Sequence, residues 1–202
     1  VFLITGGAIS FVVDAFSRNK QISYTCVAHE QAAAMMADSY SRLGPNFSAT
    51  MVTSGPGATN LLTGIACSWF DSIPAIHICG QVNSYELSNA HKSTKKVRQV
   101  GFQETDIVSM AKPITKFSYQ LKNEKDIRFA LEKAYYIAQS GRPGPVLIDI
   151  PMDFQRKNIN PIKLKSFKPI KKKIPKKYII RQIEKIKDLL LKSKRPTIIV
   201  GG

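Results

Sequence analysis

The chain has 202 residues, 44% of them hydrophobic, and its 30 Lys and Arg outweigh 14 Asp and Glu to give a net charge of +16. This length and composition fit one domain with a full core plus the start of a second, and they exclude wholesale disorder. No apolar run reaches the roughly 18 residues of a membrane-spanning helix and no secretory signal pattern is seen, so we expect a cytoplasmic protein.

The first 150 residues alternate short β-branched runs with longer amphipathic stretches, the pattern of βα units that build a parallel sheet. The runs are apolar almost throughout, as expected when helices cover both faces of a sheet. We therefore predict an α/β fold: a doubly wound parallel sheet with helices on both faces. The predicted strands are 1–4, 22–27, 48–53, 75–79, 114–118 and 145–150, and the predicted helices are 9–18, 30–42, 58–70 and 124–139.

Three loops follow predicted strands at their carboxyl ends. They are Thr5-Gly6-Gly7-Ala8, the segment 28–31 (Ala-His-Glu-Gln) and the segment 53–60 (Thr-Ser-Gly-Pro-Gly-Ala-Thr-Asn). Because ligands bind outside the carboxyl ends of strands in open α/β sheets, this shared placement indicates a binding site. A single glycine-rich turn would be weak evidence, since many such turns only reverse the chain.

Glu30 is the candidate functional carboxylate. It stands at the first turn of a helix directly after an apolar strand, which places it at the edge of a low-dielectric pocket. An acid there can also serve only to stabilise the helix N-terminus, and His29 beside it can be a packing residue. The position alone does not separate these interpretations.

Three cysteines, Cys26, Cys67 and Cys79, lie singly in apolar stretches. They lack the paired spacing of a zinc site or a disulfide framework. We expect all three to be reduced core residues.

After Pro151 the sequence becomes basic and is punctuated by proline, with much of the excess charge between Lys157 and Lys194. Clustered Lys and Arg can bind nucleic acid, but no interleaved stacking aromatics or recognition motif accompany these lysines, so a solvated linker is the preferred interpretation. A non-catalytic basic binding module is the alternative.

The change in amino-acid composition after Pro151 also predicts the domain organisation. We predict an N-terminal domain at 1–155, a basic linker at 156–177 and the start of a second α/β domain at 178–202. The last part has a helix at 178–191 and a strand at 197–200 followed by two glycines, a common opening of a nucleotide-binding domain. Since the chain begins inside one strand and stops after another, we expect a fragment of a longer protein.

Six further motifs follow one another along the chain. They are the His-Glu-Gln step with Ala-Asp-Ser-Tyr-Ser-Arg at 37–42, the segment 53–60, Gly-Gln-Val at 80–82, Gly-Phe-Gln-Glu-Thr at 101–105, Ser-Gly-Arg-Pro-Gly-Pro-Val at 140–146, and Asp-Ile-Pro at 149–151. In this order they resemble the acetolactate synthase large subunit and its thiamin-diphosphate (ThDP) relatives. The resemblance extends from Thr5 to about Pro151, and weaker similarity continues through 195–202. The resemblance implies an enzyme that decarboxylates pyruvate on ThDP and transfers the two-carbon unit to a 2-oxoacid, in branched-chain amino acid biosynthesis.

The resemblance also implies how the cofactor is held. Glu30 matches the glutamate that hydrogen-bonds N1′ of the aminopyrimidine ring and so promotes removal of the thiazolium C2 proton. Thr53, Pro56 and Asn60 match residues that pack around or bond the pyrimidine. Gly7 matches a glycine whose backbone lies near the reacting centre.

Further roles concern the substrate and a second cofactor. Phe102 and Gln103 match residues on the substrate side of the site. Arg142 matches an arginine that binds FAD in family members carrying that cofactor, and a loop-stabilising hydrogen-bond donor is the alternative. The resemblance therefore names FAD as a candidate cofactor.

Three departures from the family pattern leave the acceptor open. Ile4-Thr5 stands where relatives have Tyr-Pro, Met152 replaces a lysine, and the segment 83–101 is longer than the corresponding family loop. That segment includes Tyr85, His91, Lys92, Lys95, Lys96 and Arg98, and it is either a solvated excursion or part of the acceptor's entry. The runner-up function is a relative that gives the two-carbon unit to another carbonyl acceptor, such as a ketosugar, or releases the aldehyde.

The other half of the ThDP site is absent from this sequence. Relatives bind the diphosphate and Mg²⁺ through a Gly-Asp-Gly segment followed by paired asparagines, in the C-terminal domain of a second subunit, and this chain has no such segment. We therefore expect no metal ligand here and no activity of this chain alone. The expected partners are a homodimer or tetramer with the site at the subunit interface, a 2-oxoacid, and a regulatory subunit as a candidate, but neither nucleic acid nor a membrane.

Overall fold

A computed structural model describes residues 1–44, 46–90, 97–169 and 175–200. The chain divides into two compact units, Val1–Phe167 and Lys168–Gly202. The strands of the first unit are β1 (Phe2–Leu3), β2 (Thr25–Cys26), β3 (Ala49–Val52), β4 (Ile76–Gln81), β5 (Phe117–Gln120) and β6 (Val146–Pro151). They form one all-parallel sheet in the order β2-β1-β3-β4-β6-β5.

Helices follow the strands as the periodicity predicts, with small differences at their ends. They are α1 (Ser10–Arg18), α2 (Glu30–Leu43), α3 (Pro56–Thr59), α4 (Leu62–Phe70), α5 (Ile107–Ala111), α6 (Ile127–Gln139) and α7 (Met152–Gln155). The predicted helix 58–70 is thus divided into α3 and α4. The sequence did not reveal α5 and α7, because helices of five and four residues are too short to show a period.

Strand β6 shows why the sheet is covered on both faces. All six of its residues are buried. Leu147 packs with Val52 of β3 and Ile65 of α4, whereas its neighbours Val146 and Ile148 pack with α6. Successive side chains of a strand point to opposite faces, so two helical layers enclose the sheet. The predicted doubly wound α/β fold is confirmed.

Three predicted strands differ clearly in the structure. The run 114–118 becomes β5 at Phe117–Gln120, because its first residue ends a 3-10 helix, Lys112–Ile114. The run 22–27 is reduced to the two residues of β2, both exposed, because β2 is an edge strand that pairs only with β1. The predicted strand at 197–200 is not formed. A strand needs a neighbour for its backbone hydrogen bonds, and no described residue pairs with this segment.

The cysteines are free thiols, as expected, but only Cys79 is in the core. Cys26 and Cys67 are exposed, so the prediction that they are core residues was wrong. Cys26 lies on the edge strand β2. Cys67 lies on the outer side of α4, whose buried residues are Gly64, Ile65 and Ser68.

The residues between Pro151 and Phe167 still belong to the first unit. The backbone N–H of Phe167 donates to Glu132 Oε2 at 2.6 Å, and the Phe167 ring lies against Phe129 and Tyr136 of α6. The second unit contains the amphipathic helix α8 (Lys176–Lys192). None of the helices in the described part of the chain is long and apolar enough to cross a membrane. The domain boundaries at 155 and 177 stay a prediction.

Candidate functional site

The three loops predicted to form a site converge at one edge of the sheet. From β1 the chain winds outward to β2 and then returns to β3 on the other side of β1, so the loops after these strands lie side by side. The N–H of Ala8 donates to Thr53 Oγ1 at 3.2 Å, joining the first loop to the third. A Cβ added to Gly6 would lie 2.5 Å from Thr53 Cβ, so only glycine permits this approach. The edge is the topological switch point at which ligands bind in such sheets.

Glu30 is placed by the start of α2. His29, the residue before it, is exposed and caps the helix through Nδ1, which accepts the N–H of Gln31 at 3.1 Å. His29 is therefore a helix cap in this structure and does not pack in the core. Glu30 itself is half-buried as the first residue of α2.

The Glu30 carboxylate also forms a hydrogen bond to a residue of the third loop. Asn60, at the end of α3, donates from Nδ2 to Glu30 Oε2 at 2.8 Å and so connects the second loop to the third. No residue in the described part of the chain donates a hydrogen bond to the other oxygen, Oε1. A half-buried carboxylate with one oxygen held and one free is arranged to receive a donor from a ligand.

The third loop gives this carboxylate a close-fitting wall. A Cβ added to Gly57 would lie 2.8 Å from Thr53 Cγ2 and 3.4 Å from Glu30 Oε1. Pro56 is the first residue of α3, a position where its fixed φ favours the helix and its missing N–H costs nothing. Gly55, just before it, has a φ of 63°, which an L side chain rarely adopts.

The predicted substrate-side residues also reach this edge. Gln103 has a φ of 60°, and its Cβ would lie 2.7 Å from a Cβ on Gly55. Phe102 is 82% exposed. A cavity of about 290 Å³ lies here, lined by Gly7, Ala8, Thr53, Ser54, Val82, Asn83, Glu86, Phe102, Gln103 and Met152. The structure therefore gathers the predicted site residues at one edge, with the exception of Arg142.

Arg142 lies elsewhere. It precedes β6, so it is at the amino edge of the sheet, whereas Glu30 follows β2 at the carboxyl edge. Its Nε donates to Ser72 Oγ at 2.6 Å, as the loop-stabilising alternative requires. It also lines a separate cavity of about 390 Å³ with Trp69, Phe70, Lys116 and Pro143. The FAD-binding role of Arg142 stays a prediction.

The described residues contain no group of three or more His, Cys, Asp and Glu that could hold a metal ion.

Two buried polar residues near the edge were not assigned a role from the sequence. Gln81, the last residue of β4, and Asp149 of β6 are joined by a hydrogen bond of 3.0 Å. Burial raises the pKa of Asp149 to about 7. Both residues stand in the recognised motifs, and a polar residue inside an otherwise apolar strand is the signal that could have found them.

Comparisons with known proteins identify the family of this chain. Residues 1–110 match the family described as thiamine pyrophosphate enzyme, N-terminal TPP binding domain. The chain is 40% identical to the acetolactate synthase large subunit of Buchnera aphidicola subsp. Acyrthosiphon pisum and 42% identical to that of Cyanidium caldarium. It is 36% identical to the acetolactate synthase isozyme 3 large subunit of Escherichia coli. Each comparison covers 100% of this chain and 34% of the relative, so the chain spans about a third of these proteins' length.

Proposed function

The chain belongs to the thiamine pyrophosphate enzyme family, as an N-terminal TPP-binding domain, and from this premise we propose that it is the N-terminal part of an acetolactate synthase large subunit. The proposed enzyme decarboxylates pyruvate and transfers the two-carbon unit to a second 2-oxoacid, a reaction of branched-chain amino acid biosynthesis. Support comes from the whole-length similarity to large subunits of that name.

The observation that carries the proposal is the Glu30 carboxylate with Oε2 held by Asn60. Glu30 would hold the aminopyrimidine ring of ThDP through Oε1, and its carboxyl group would supply or accept the proton at N1′ in a charge-assisted hydrogen bond. When bound, ThDP supplies the electron sink that decarboxylation needs. The protein orients that group and holds the proton.

The loop around Gly57 fits a flat ring. Gly57 has no room for a side chain against Thr53, so backbone and the Thr53 methyl group form a smooth wall beside Glu30. Gly7 has no protein atom within 4 Å of an added Cβ, so the space beside its backbone is open to a ligand. These features fit a flat aminopyrimidine ring, which Glu30 would hold, and the backbone of Gly7 would leave room for the reacting atoms.

The remaining partners of the site belong to the proposal. We place the diphosphate and Mg²⁺ in a C-terminal domain of a second subunit, so the active unit is a homodimer or a tetramer and this chain alone is inactive. The relatives are named large subunits, which favours a second, regulatory subunit. FAD is assigned to the region of Arg142 and the protein to the cytoplasm.

One observation favours a second candidate, a ThDP enzyme that uses another carbonyl acceptor. Met152 lines the cavity. The family resemblance implies a lysine at this position, so the cavity would have one cation fewer for an anionic acceptor. A ketosugar acceptor, or release of the aldehyde, is compatible with that change.

Steady-state assays of the full-length enzyme with pyruvate alone distinguish the two candidates. The first predicts ThDP-dependent formation of acetolactate from two molecules of pyruvate. Absence of acetolactate, with turnover restored by a ketosugar, would replace it with the second candidate. Acetaldehyde as the only product would identify a simple decarboxylase.

A further inference from the structure

Gln81 has every polar group of its side chain occupied, although it is only 1% exposed. Its Nε2 donates to Asp149 Oδ2 at 3.0 Å and to the carbonyl oxygen of Thr105 at 2.8 Å. Its Oε1 accepts the N–H of Val82 at 3.0 Å. Gln81 therefore connects the interior of the sheet to the end of the Phe102 and Gln103 loop.

Asp149 is the interior end of this connection. It is wholly buried, and its Oδ2 accepts a second hydrogen bond, from Gln120 Nε2 at 2.9 Å. Its other oxygen, Oδ1, has no partner among the described residues. Such an arrangement is costly in a core, because buried polar groups are normally fully paired. Hydrophobic residues would fill the same space more favourably if stability were the only requirement.

The loop held by Gln81 is the one that brings Gln103 to the cavity. Gln103 adopts a left-handed φ, which is unfavourable for a residue other than glycine and persists only where the surroundings enforce it. A Cβ added to Gly101 would lie 2.8 Å from Val82, so the beginning of the loop is pressed against the residue after Gln81. The end of the loop is held through the Thr105 carbonyl.

Glu104 restrains the same loop from the other side. Its two carboxylate oxygens accept the N–H groups of Ser88 at 2.7 Å and of Val100 at 2.9 Å. Those contacts fix the loop to its neighbouring surface segments. They leave Gln81 as the described side chain that ties the loop to the central strands.

We propose that Gln81, held by the buried Asp149, is a positioning residue that sets the conformation of the loop Gly101–Thr105 and thereby the substrate side of the cavity. The role of the loop in binding substrate rests on the proposed function. The hydrogen-bonded connection does not. Gln81 acts through Thr105 and does not line the cavity.

The test compares Gln81→Met with Gln120→Met in the full-length enzyme. Gln81→Met leaves the Thr105 carbonyl and the Val82 N–H without their partner, whereas Gln120→Met removes a donor from the same oxygen of Asp149 without touching the loop. Amide hydrogen exchange of residues 101–105 reports the loop, and KM and kcat for pyruvate report its consequence. We expect Gln81→Met to speed exchange and raise KM, each by about tenfold, with a smaller change in kcat. Gln120→Met should leave exchange and KM as in the wild type.

Two further variants keep the test decisive. Gln81→Leu is similar in volume and has no polar atom, so it also removes the donor to Thr105 and replaces Gln81→Met if that variant does not fold. Asp149→Asn retains an acceptor for Gln81 and should keep exchange close to the wild-type rate. Unchanged exchange of 101–105 in both Gln81 variants, or an equal increase in Gln120→Met, would overturn the proposal. A wild-type enzyme that does not use pyruvate would refute the proposed function instead, and the exchange comparison would still decide the positioning role.

Discussion

His77 is wholly buried in β4, where Thr50 of the adjacent strand β3 bonds its Nδ1 at 2.8 Å. Its Nε2 has no partner among the described residues, and burial lowers the pKa of the imidazole to about 3. Unfolding returns the pKa to about 6.5, so the unfolded chain binds the proton first. The contribution of His77 to stability is therefore present above pH 6.5 and is lost as the pH falls from there towards 3.

We predict that His77→Gln makes the unfolding free energy less dependent on pH between about 6.5 and 3. The wild type should lose up to about 1.4 kcal/mol per pH unit from this group, and the variant should lose none of it. Urea denaturation of both proteins at several pH values measures the difference. Parallel curves across this range would mean that His77 does not titrate as a buried neutral group.

The contribution of Asp149 to stability depends on pH in the opposite direction from that of His77. Its pKa is raised from 3.8 to about 7 by burial, so the folded chain binds the proton more tightly than the unfolded chain. Its contribution to stability is present below about pH 4 and is lost as the pH rises through 7. Asp149→Asn, which is neutral throughout, should therefore become more stable relative to the wild type as the pH rises from 4 to 8. Denaturation at these two pH values is the measurement, and an advantage that shrinks with rising pH would contradict it.

For single side chains, the sequence predicted which residues are candidates for the site better than it predicted which residues they contact. Glu30 could be named as a candidate because it stands directly after an apolar strand, but its role was assigned only through the companion motifs. The bond from Asn60 and the pairing of Gln81 with Asp149 join residues 30 and 68 positions apart, and no local pattern encodes which side chains meet over such distances. The burial of Cys26 was predicted wrongly for the same reason, since edge position depends on strand order.

Among the structural elements, the turn before α3 allows a specific prediction about the substitution of one glycine. Gly55 has a φ of 63°, and an added Cβ would lie 2.7 Å from Gln103 Cβ. Gly141 has nearly the same φ, 62°, but no atom within 4 Å of an added Cβ. Substitution of either glycine would strain the backbone, but only a side chain at Gly55 would also clash with Gln103 at the cavity. Comparing the two substitutions therefore distinguishes the two effects.

We predict that Gly55→Ala and Gly141→Ala both lose about 1 kcal/mol of stability from the left-handed backbone. Only Gly55→Ala should also displace Gln103 and raise KM for pyruvate in the full-length enzyme. Denaturation curves and steady-state kinetics of both variants test this. Equal KM values would show that Gln103 moves aside without consequence for the substrate.

The elements themselves were predictable where the pattern was long. Helix α6 was predicted from apolar residues that recur at three- and four-residue steps between 124 and 139. Its buried residues are Ala130, Ala134 and Ala138. The strands β3, β4 and β6 were found as apolar runs. Short elements such as β2 and α7 were misjudged, because two to four residues carry too little periodicity and their formation depends on tertiary neighbours.

For the whole molecule, the alternation of strands and helices predicted the parallel sheet and the edge where a site should lie. It did not predict the order β2-β1-β3-β4-β6-β5, since each crossover can in principle pass to either side. The site depends on that order, because the loops after β1, β2 and β3 meet only when β1 lies between the other two. The alternation of strands and helices left the cofactor and the roles of single residues open, and these were inferred from the resemblance of the ordered motifs to a known family.

The net charge of +16 is also a property of the whole molecule. We attribute its excess largely to a solvated connector, so deletion of 163–177 should leave weak retention on duplex DNA unaltered at physiological salt. Salt-dependent retention that is abolished by this deletion would instead support the basic binding module.

The central claim is that Glu30 activates the cofactor, and Glu30→Gln in the full-length enzyme tests it most directly. The variant keeps the side chain's shape and an acceptor for Asn60 but cannot hold a proton as a carboxyl group does. Glu124→Gln is the matched control, because Glu124 also opens a helical segment but follows β5, the strand at the opposite end of the sheet from β2, and does not line the cavity beside Gly7 and Thr53. Hydrogen–deuterium exchange at C2 of bound ThDP, followed by NMR after acid quench, is the measurement. We predict exchange slowed by roughly a hundredfold or more in Glu30→Gln and unchanged in Glu124→Gln. Exchange at the wild-type rate in Glu30→Gln, with ThDP still bound, would contradict the account.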